Sequence, residues 1–363
     1  MTCVEIAGQA KDVFHGASLS EKTAIIIAKV EDMPDLFAEL QKAVELQKDG
    51  VRGRYAPSPT GSLHLGNLRT ALLAWLQVRL QDGVLVLRME DLDLPRVKEG
   101  SAEEIMEDLR WLGLDWDEGP DRGGPVGPYD QSARDEIYLA ALDFLHESGL
   151  TFQCYCSRKD VIEASSAPHG PGVLIYPGTC RLLTPQEAQE ARSRHPGRLP
   201  SSRFLVAESE ICFRDQIAGE VREVLTDTVG DFVIRRSDNL FAYQLAVVVD
   251  DALMGITDVL RGEDLLSSTA RQIALFEALN APLPRFWHVP LMKNEVGERL
   301  SKRDGSDSLQ SLREKGFAAS DVIGLLAHSL GWVPPDSSLS AAELLEELTV
   351  DDLRLLKTSL EVS

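Results

Sequence analysis

The chain has 363 residues, 44% of them hydrophobic and 26% charged, with five cysteines and a formal net charge of −21. This is the make-up of a globular protein with room for two domains and an appendage. No apolar run approaches the ~20 residues of a membrane helix and no basic segment followed by an apolar core opens the chain, so the cytoplasm is the expected compartment and no membrane is expected as a partner.

Residues 1–50 read as an N-terminal extension. Leu36, Leu40, Val44 and Leu46, with Phe37 between them, make a loosely amphipathic helix that closes near Gly50. It is expected to be a lid or a partly disordered arm rather than a docking helix. From Val51 a strand runs into the Pro- and Gly-kinked turn Ala56 to Gly61, and a helix opens at about Leu65. His64 and Asn67 lie one turn apart with Gly66 between them, so the backbone there can approach an anionic ligand closely. Val84 to Asp91 reads as a buried strand ending in the acids Glu90 and Asp91, and Ser101–Leu112 as a helix with Ser101 at its N-cap and Glu104 completing a capping box. Strand, helix and strand in that order predict a parallel βαβ unit and an α/β fold.

Further along, Cys154 and Cys156 are followed by Tyr176 and Cys180. A Cys-x-Cys pair cannot close one disulfide without strain, yet both thiolates reach one metal, and Cys180 after its Pro/Gly turn offers a third. His169 is the nearest histidine. The five cysteines, unevenly spaced, do not otherwise resemble a disulfide framework. Leu240 to Asp251 carries Tyr243, Thr257 to Asp264 carries Arg261, which is also open to a surface salt bridge with Glu263 or Asp264, and Arg299 to Arg303 is a polar loop with Ser301 and Lys302. A lysine on such a loop can meet the charge that builds on a leaving pyrophosphate. After Asp307 the rest reads as short helices, with Ala318–Leu330 and Ala341–Leu348 as their cores.

The two segments His64-Leu65-Gly66-Asn67 and Arg299-Leu300-Ser301-Lys302-Arg303 resemble the paired signatures of class I aminoacyl-tRNA synthetases of the glutamyl type. Asn67 stands where the class has a final histidine, Arg299 where it has lysine and Arg303 where it has a small serine. The resemblance runs from about Arg54 to about Asp307. It implies a doubly wound, Rossmann-like parallel sheet of the HUP type, with ligands at the carboxyl ends of the strands. It also implies a division into an extension (1–50), two halves of a catalytic domain (51–150 and 226–307) around an inserted zinc-binding subdomain (151–225), and a short helical part (308–363). By the same resemblance L-glutamate is held by Arg54, Ala56, Ser58, Glu90, Tyr243 and Arg261, with Arg261 gripping its side-chain carboxylate, and ATP with its Mg²⁺ by His64, Gly66, Asn67, Ser301 and Lys302. His64 and Lys302 are the expected catalytic groups.

Glutamyl-type paralogues that act on queuosine carry a Cys-x-Cys followed by Tyr-x3-Cys around a structural zinc ion, and Cys154, Cys156, Tyr176 and Cys180 match that pattern. With only about 56 residues after Asp307, no large helical anticodon-binding domain is expected. The reading that follows is glutamate activation with transfer to queuosine in the anticodon stem-loop of tRNA(Asp), by a monomer. A truncated enzyme charging tRNA(Glu) and a catalytically silent glutamate sensor are the alternatives. The charge is awkward for an RNA partner, but residues 1–50 hold five basic and nine acidic groups and residues 336–363 two and seven, so much of the excess lies at the ends. Arg192, Arg194, Arg198 and Arg203, and the pair Arg235 and Arg236, are basic clusters that read equally as an RNA path or as solvated faces.

Overall fold

The computed structural model describes residues 34–164, 175–292 and 308–357. Helix α1 (Pro34–Gln47) leads to strand β1 (Arg52–Tyr55), helix α2 (Leu65–Arg79), strand β2 (Val84–Leu87) and helices α3 (Ser101–Trp111) and α4 (Asp135–Glu147). Then come β3 (Thr151–Cys154), α5 (Arg158–Ala164), α6 (Pro185–Ser193), β4 (Ser201–Phe204), β5 (Glu210–Asp215), β6 (Gly219–Val224), the single turn α7 (Leu225–Thr228) and β7 (Phe232–Arg235). The chain continues through α8 (Tyr243–Leu253), β8 (Asp258–Gly262), α9 (Leu266–Ala278) and β9 (Arg285–Val289) to four short helices, α10 (Leu309–Glu314), α11 (Ala319–His328), α12 (Ala341–Glu347) and α13 (Val350–Arg354). None of the described helices is long and apolar enough to cross a membrane.

Four parallel strands in the order β2-β1-β8-β9 form the main sheet, with one hydrophobic cluster on each face. One cluster is built from α4, α8 and α9, the other from α2, α3 and the C-terminal helices. This is the expected doubly wound α/β architecture. The order reverses between β1 and β8, so the loops leaving their carboxyl ends diverge and leave a crevice. Ten of the residues from Leu68 to Val78 on α2 are buried, because the sheet covers one side of this helix and α11, α12 and α13 cover another. Gly324 lets α11 close up: a Cβ there would lie 1.7 Å from the carbonyl oxygen of Ser337. Between the two halves of the sheet's sequence, β3-β4-β7 form an antiparallel sheet and β5-β6 a hairpin packed against β9 and α9.

Two expectations change. Ser101 is the first residue of α3 and Gly100, at φ 77°, is its cap. Ser101 Oγ instead accepts from Gly61 N at 2.9 Å, and Glu104 Oε1 accepts from Ser62 Oγ at 2.6 Å. Both side chains are diverted from capping to pin the turn that carries His64. The amphipathic helix of the extension packs on α8 and α4 through Leu36 and Ala43, and Val44 is exposed. It meets Gly255 and Ile256 beyond the carboxyl end of α8, whereas Tyr243 begins that helix, so α1 buttresses the scaffold and does not cover the crevice.

Beneath the crevice lies a buried ionic network. Asp250, with no exposed surface, accepts from Arg134 Nε at 2.7 Å, Gln131 Nε2 at 2.7 Å and the Tyr138 hydroxyl at 2.9 Å. Arg88, equally enclosed, donates to Asp251 at 2.8 Å. Removing one member of such a set leaves an uncompensated charge in a low dielectric, which costs about 3–5 kcal/mol. Asp250→Ala should therefore lower the urea unfolding free energy by about that amount, while Asp351→Ala, which breaks only an exposed pair with Arg354, should change it by less than about 0.5 kcal/mol. Equal effects at the two sites would show that the network is not load-carrying.

Candidate active site

The crevice between the β1 and β8 ends is a cleft of about 540 Å³, and it gathers residues from most of the chain's length. Arg54, Ala56, Ser58, His64, Gly66, Asn67, Glu90, Tyr243 and Arg261 all line it. The expected glutamate and nucleotide residues within the described part of the chain thus share one cavity. Ser301 and Lys302 lie outside the described residues, as do Arg299 and Arg303; Pro290, Leu291 and Met292, which precede that segment, line the cleft.

His64 is the N-cap of α2, in extended conformation at φ −98° and ψ 165°. Its Nδ1 accepts from Asn67 N at 3.4 Å, which puts the proton of the neutral ring on Nε2. The ring folds over Gly66, where a Cβ would lie 3.3 Å from it, so a side chain at that position would make the imidazole shift by a few tenths of an ångström. An anionic oxygen in the cleft would meet an imidazole donor together with a helix N-terminus and its dipole.

The other end of the cleft is cationic. Arg54 is buried in β1, its Nη1 donating to Leu260 O at 2.9 Å and its Nε to Asp251 at 3.3 Å. Burial acts to lower the Arg88 pKa, but Asp251, Asp250 and Glu90 outweigh it and lift it above the ordinary arginine value. Glu90 is pinned by its N–H to Pro57 O at 2.9 Å; burial raises its carboxyl pKa, while Arg88 and Arg54 act to lower it.

Arg261 differs from these. It is 4% exposed, its Nε donates to His288 Nε2 at 3.0 Å, and its Nη2 donates to Thr269 Oγ1 at 2.8 Å. Its Nη1 is buried with no hydrogen-bond partner, and no carboxylate among the described residues pairs with it. The surface bridge to Glu263 or Asp264 that the sequence left open does not form. Burial lowers the Arg261 pKa and the like charge of Arg54 adds to this, with Tyr243 and Asp251 opposing. A guanidinium in this state lacks only an anion to bond it in the plane of its fork. Arg88, Asp251, Thr269, His288 and Asp215 were not singled out from the sequence. The signal for Arg88, Asp251 and His288 there is an ionisable group inside an otherwise apolar run, as in Val84-Leu-Val-Leu-Arg88 and Val247-Val-Val-Asp250-Asp251; Thr269 and Asp215 have polar neighbours and carry none.

A second cluster lies in the segment inserted between the two halves of the sheet. The sulfurs of Cys154, Cys156 and Cys180 all fall within 4.8 Å of one another, and Cys156 and Cys180 Sγ are 3.5 Å apart. A tetrahedral ion with Zn–S bonds of about 2.3 Å separates its sulfurs by roughly 3.8 Å, so this donor set fits a metal. The Tyr176 oxygen is 3.5 Å from Cys154 Sγ and accepts from Cys180 N at 2.8 Å, in place for a fourth ligand. His169 lies outside the described residues. Of the first basic cluster, Arg203 is structural, its guanidinium 3.8 Å from the Tyr176 ring centroid and bonded to Asp231 O at 2.7 Å. Arg192 and Arg198 line a separate surface groove beside Tyr155.

Residues 50–355 match the family of class I tRNA synthetases (E and Q), catalytic domain. The glutamyl-Q tRNA(Asp) synthetase of Symbiobacterium thermophilum is 50% identical over 295 residues, which cover 81% of this chain and 90% of that one. The protein of the same name from Deinococcus radiodurans is 48% identical over 78% of this chain and 90% of its own. The glutamate–tRNA ligase of Sulfurihydrogenibium sp. is 44% identical over 83% of this chain and 63% of its own. The crystal structure of glutamate-tRNA synthetase from Elizabethkingia anophelis superposes with a TM-score of 0.73 at 31% identity, covering 85% of this chain and 67% of that one. The chain belongs to the class I tRNA synthetases of the glutamyl and glutaminyl type, ligases by chemistry, and within that class to the group formed by its relatives named glutamyl-Q tRNA(Asp) synthetase.

The thiol cluster makes its own prediction. Titrating the reduced, metal-free protein with Co²⁺ should give one equivalent of tetrahedral visible absorption with thiolate charge-transfer bands, and Cys180→Ser should abolish it. Octahedral, weak bands unaffected by that substitution would place the metal elsewhere.

Proposed function

We propose that this protein activates L-glutamate with ATP as glutamyl-adenylate and transfers the glutamyl group to queuosine in the anticodon of tRNA(Asp). The observation that carries the glutamate half is Arg261: a buried guanidinium without a carboxylate partner among the described residues, in the same cavity as the His64 helix start. The side-chain carboxylate of glutamate would complete it, with Arg54 alongside, and the amide of glutamine would bring N–H groups against N–H groups. Glu90 would receive the amino group, with Tyr243 beside it, and Ala56 and Ser58 would form the wall next to the reacting carboxylate.

In the first step one oxygen of the α-carboxylate bonds to the α-phosphorus of ATP and the bond to the bridging oxygen of pyrophosphate breaks. His64 and Lys302 would steady the phosphate charge, Gly66, Asn67 and Ser301 would hold the nucleotide, and the Mg²⁺ that accompanies ATP as substrate neutralises charge on the leaving group. In the second step a hydroxyl of the queuosine ring attacks the adenylate carbonyl, its proton passes to the adenylate phosphate, an ester forms, and AMP leaves with the bonding pair. Positioning would supply most of the rate.

The RNA half rests on the relatives. The match spans 90% of the two glutamyl-Q tRNA(Asp) synthetases and 63% of the Sulfurihydrogenibium glutamate–tRNA ligase. The Cys154, Cys156, Tyr176 and Cys180 set would hold a structural zinc ion, cross-linking the ends of two loops beside β3. We take the enzyme to act in the cytoplasm, as a monomer on one anticodon stem-loop.

Incubation with ATP, labelled glutamate and tRNA(Asp) with or without queuosine should label only the queuosine-containing RNA, with the label in an anticodon-loop fragment after nuclease digestion. Label at the 3′ end of tRNA(Glu) would instead identify a charging enzyme, and the absence of glutamate-dependent ATP–pyrophosphate exchange would point to a non-catalytic paralogue.

A further inference from the structure

Arg261 can act as an anion fork only if its guanidinium is held in one plane, and the structure shows what holds it. Its Nε carries a hydrogen, so the 3.0 Å contact with His288 Nε2 requires a lone pair on that nitrogen. The imidazole proton must then sit on Nδ1, where the Asp215 Oδ2 lies 2.6 Å away to receive it. His288 and Asp215 are both enclosed, with 0% and 1% exposure. Burial acts to raise the Asp215 pKa, but the His288 bond and the N–H groups of Ala218 and Ile217 outweigh it and keep the carboxyl below its usual range. Burial lowers the His288 pKa, Arg261 and Arg54 reinforcing this and the Asp215 bond opposing it, so the neutral ring is favoured.

We propose that Asp215 and His288 are positioning residues for Arg261, fixing the histidine tautomer that accepts from its guanidinium and so setting glutamate recognition from the β5–β6 hairpin. Asp215 ends β5, outside the main sheet, and its Oδ1 accepts from Ile217 N at 2.9 Å and Ala218 N at 2.8 Å. Gln216 N donates to Phe286 O at 2.9 Å, so the hairpin is stitched to β9, the strand that carries His288. Thr269 on α9 completes the clamp from the far side, accepting from Nη2 while lying 3.2 Å from His288 Nε2. Two edges of the guanidinium are thereby committed to protein and Nη1 is left for ligand.

The inference rests on the reading of Arg261 as the glutamate clamp, and Asp215→Asn separates the two. In that variant the Ile217 and Ala218 N–H groups still require an oxygen at Oδ1, so the new amide must face His288 with its NH₂. A donor opposite Nδ1 drives the proton to Nε2, and Nε2–H then opposes Arg261 Nε–H. Opposed buried donors of this kind weaken a contact by roughly tenfold or more. His288→Gln places an oxygen where Nε2 was and should rescue the clamp; His288→Asn keeps only the Asp215 side and should not.

The test combines long-range ¹H–¹⁵N spectra of the histidine ring with glutamate-dependent ATP–pyrophosphate exchange. The expected result is an Nδ1–H tautomer in the wild type and Nε2–H in Asp215→Asn. The glutamate KM should rise about tenfold or more in Asp215→Asn and His288→Asn, with the ATP KM within about twofold of wild type, and remain near wild type in His288→Gln. A switched tautomer with an unchanged glutamate KM, or a wild-type ring protonated at Nε2, overturns the proposal. So does a rise in both KM values with a fall in melting temperature in every variant, which marks a merely structural pair. If Arg261→Gln itself leaves the glutamate KM unchanged, the clamp reading fails and takes the relay with it; if Arg261→Gln weakens glutamate but Asp215→Asn does not, only the relay fails.

Discussion

A buried positive charge with no carboxylate partner among the described residues is the constraint around which this site is arranged. Taking a guanidinium out of water is expensive unless an anion and hydrogen bonds replace what is lost. Arg52 meets Glu118, Arg88 and Arg54 meet Asp251, and Arg134 meets Asp250. Arg261 meets a neutral imidazole and a hydroxyl. The unsatisfied part of its charge is binding energy held in reserve for a carboxylate, and the same desolvation that makes the site costly when empty makes a mismatched neutral ligand costly too.

The fold explains why that charge can be maintained. Asp250 and Asp251 are adjacent on α8, a helix buried along nearly its whole length, and they hold arginines from β1, from the end of β2 and from the start of α4. Each of those arginines is paired with a carboxylate, and Glu90 and Arg54 are held at the cleft wall. On the opposite side His288 and Thr269 supply geometry without negative charge. The ligand end of the cleft is thus electropositive although the chain as a whole is strongly acidic, and local field, not net charge, decides what binds there.

Much of this was legible in the sequence, for identifiable reasons. The βαβ unit around His64 was readable because a Pro- and Gly-rich turn between an apolar strand and an apolar helix has few other structures open to it, and the C-terminal helices Ala319–His328 and Ala341–Glu347 because their apolar residues recur at helical spacing. The Cys/Cys/Tyr/Cys set was readable because Cys154 and Cys156 lie two residues apart, and because the resemblance to the glutamyl-type paralogues implied Tyr176 and Cys180 as the other donors. What escaped was non-local. Nothing in the order of residues says that Asp215 in an inserted hairpin will meet His288 on β9 some 73 positions later. Ser101 and Glu104 form a valid capping pattern in isolation and lose that role only because the signature turn passes within hydrogen-bonding reach. Likewise, the helix of the extension reads as a loose arm because its stripe is weak; Gly255, where a Cβ would lie 2.7 Å from the Ala43 carbonyl oxygen, is the distant residue that lets α1 sit close.

The most direct measurement is the ratio of kcat/KM for glutamate over glutamine in ATP–pyrophosphate exchange, compared between the wild type and Arg261→Gln. If the uncompensated guanidinium selects the acidic side chain, the wild type should favour glutamate strongly, and the substitution should reduce that preference by about a hundredfold or more. A preference that survives intact in Arg261→Gln would contradict the account, because the discrimination would then reside in some other part of the cleft.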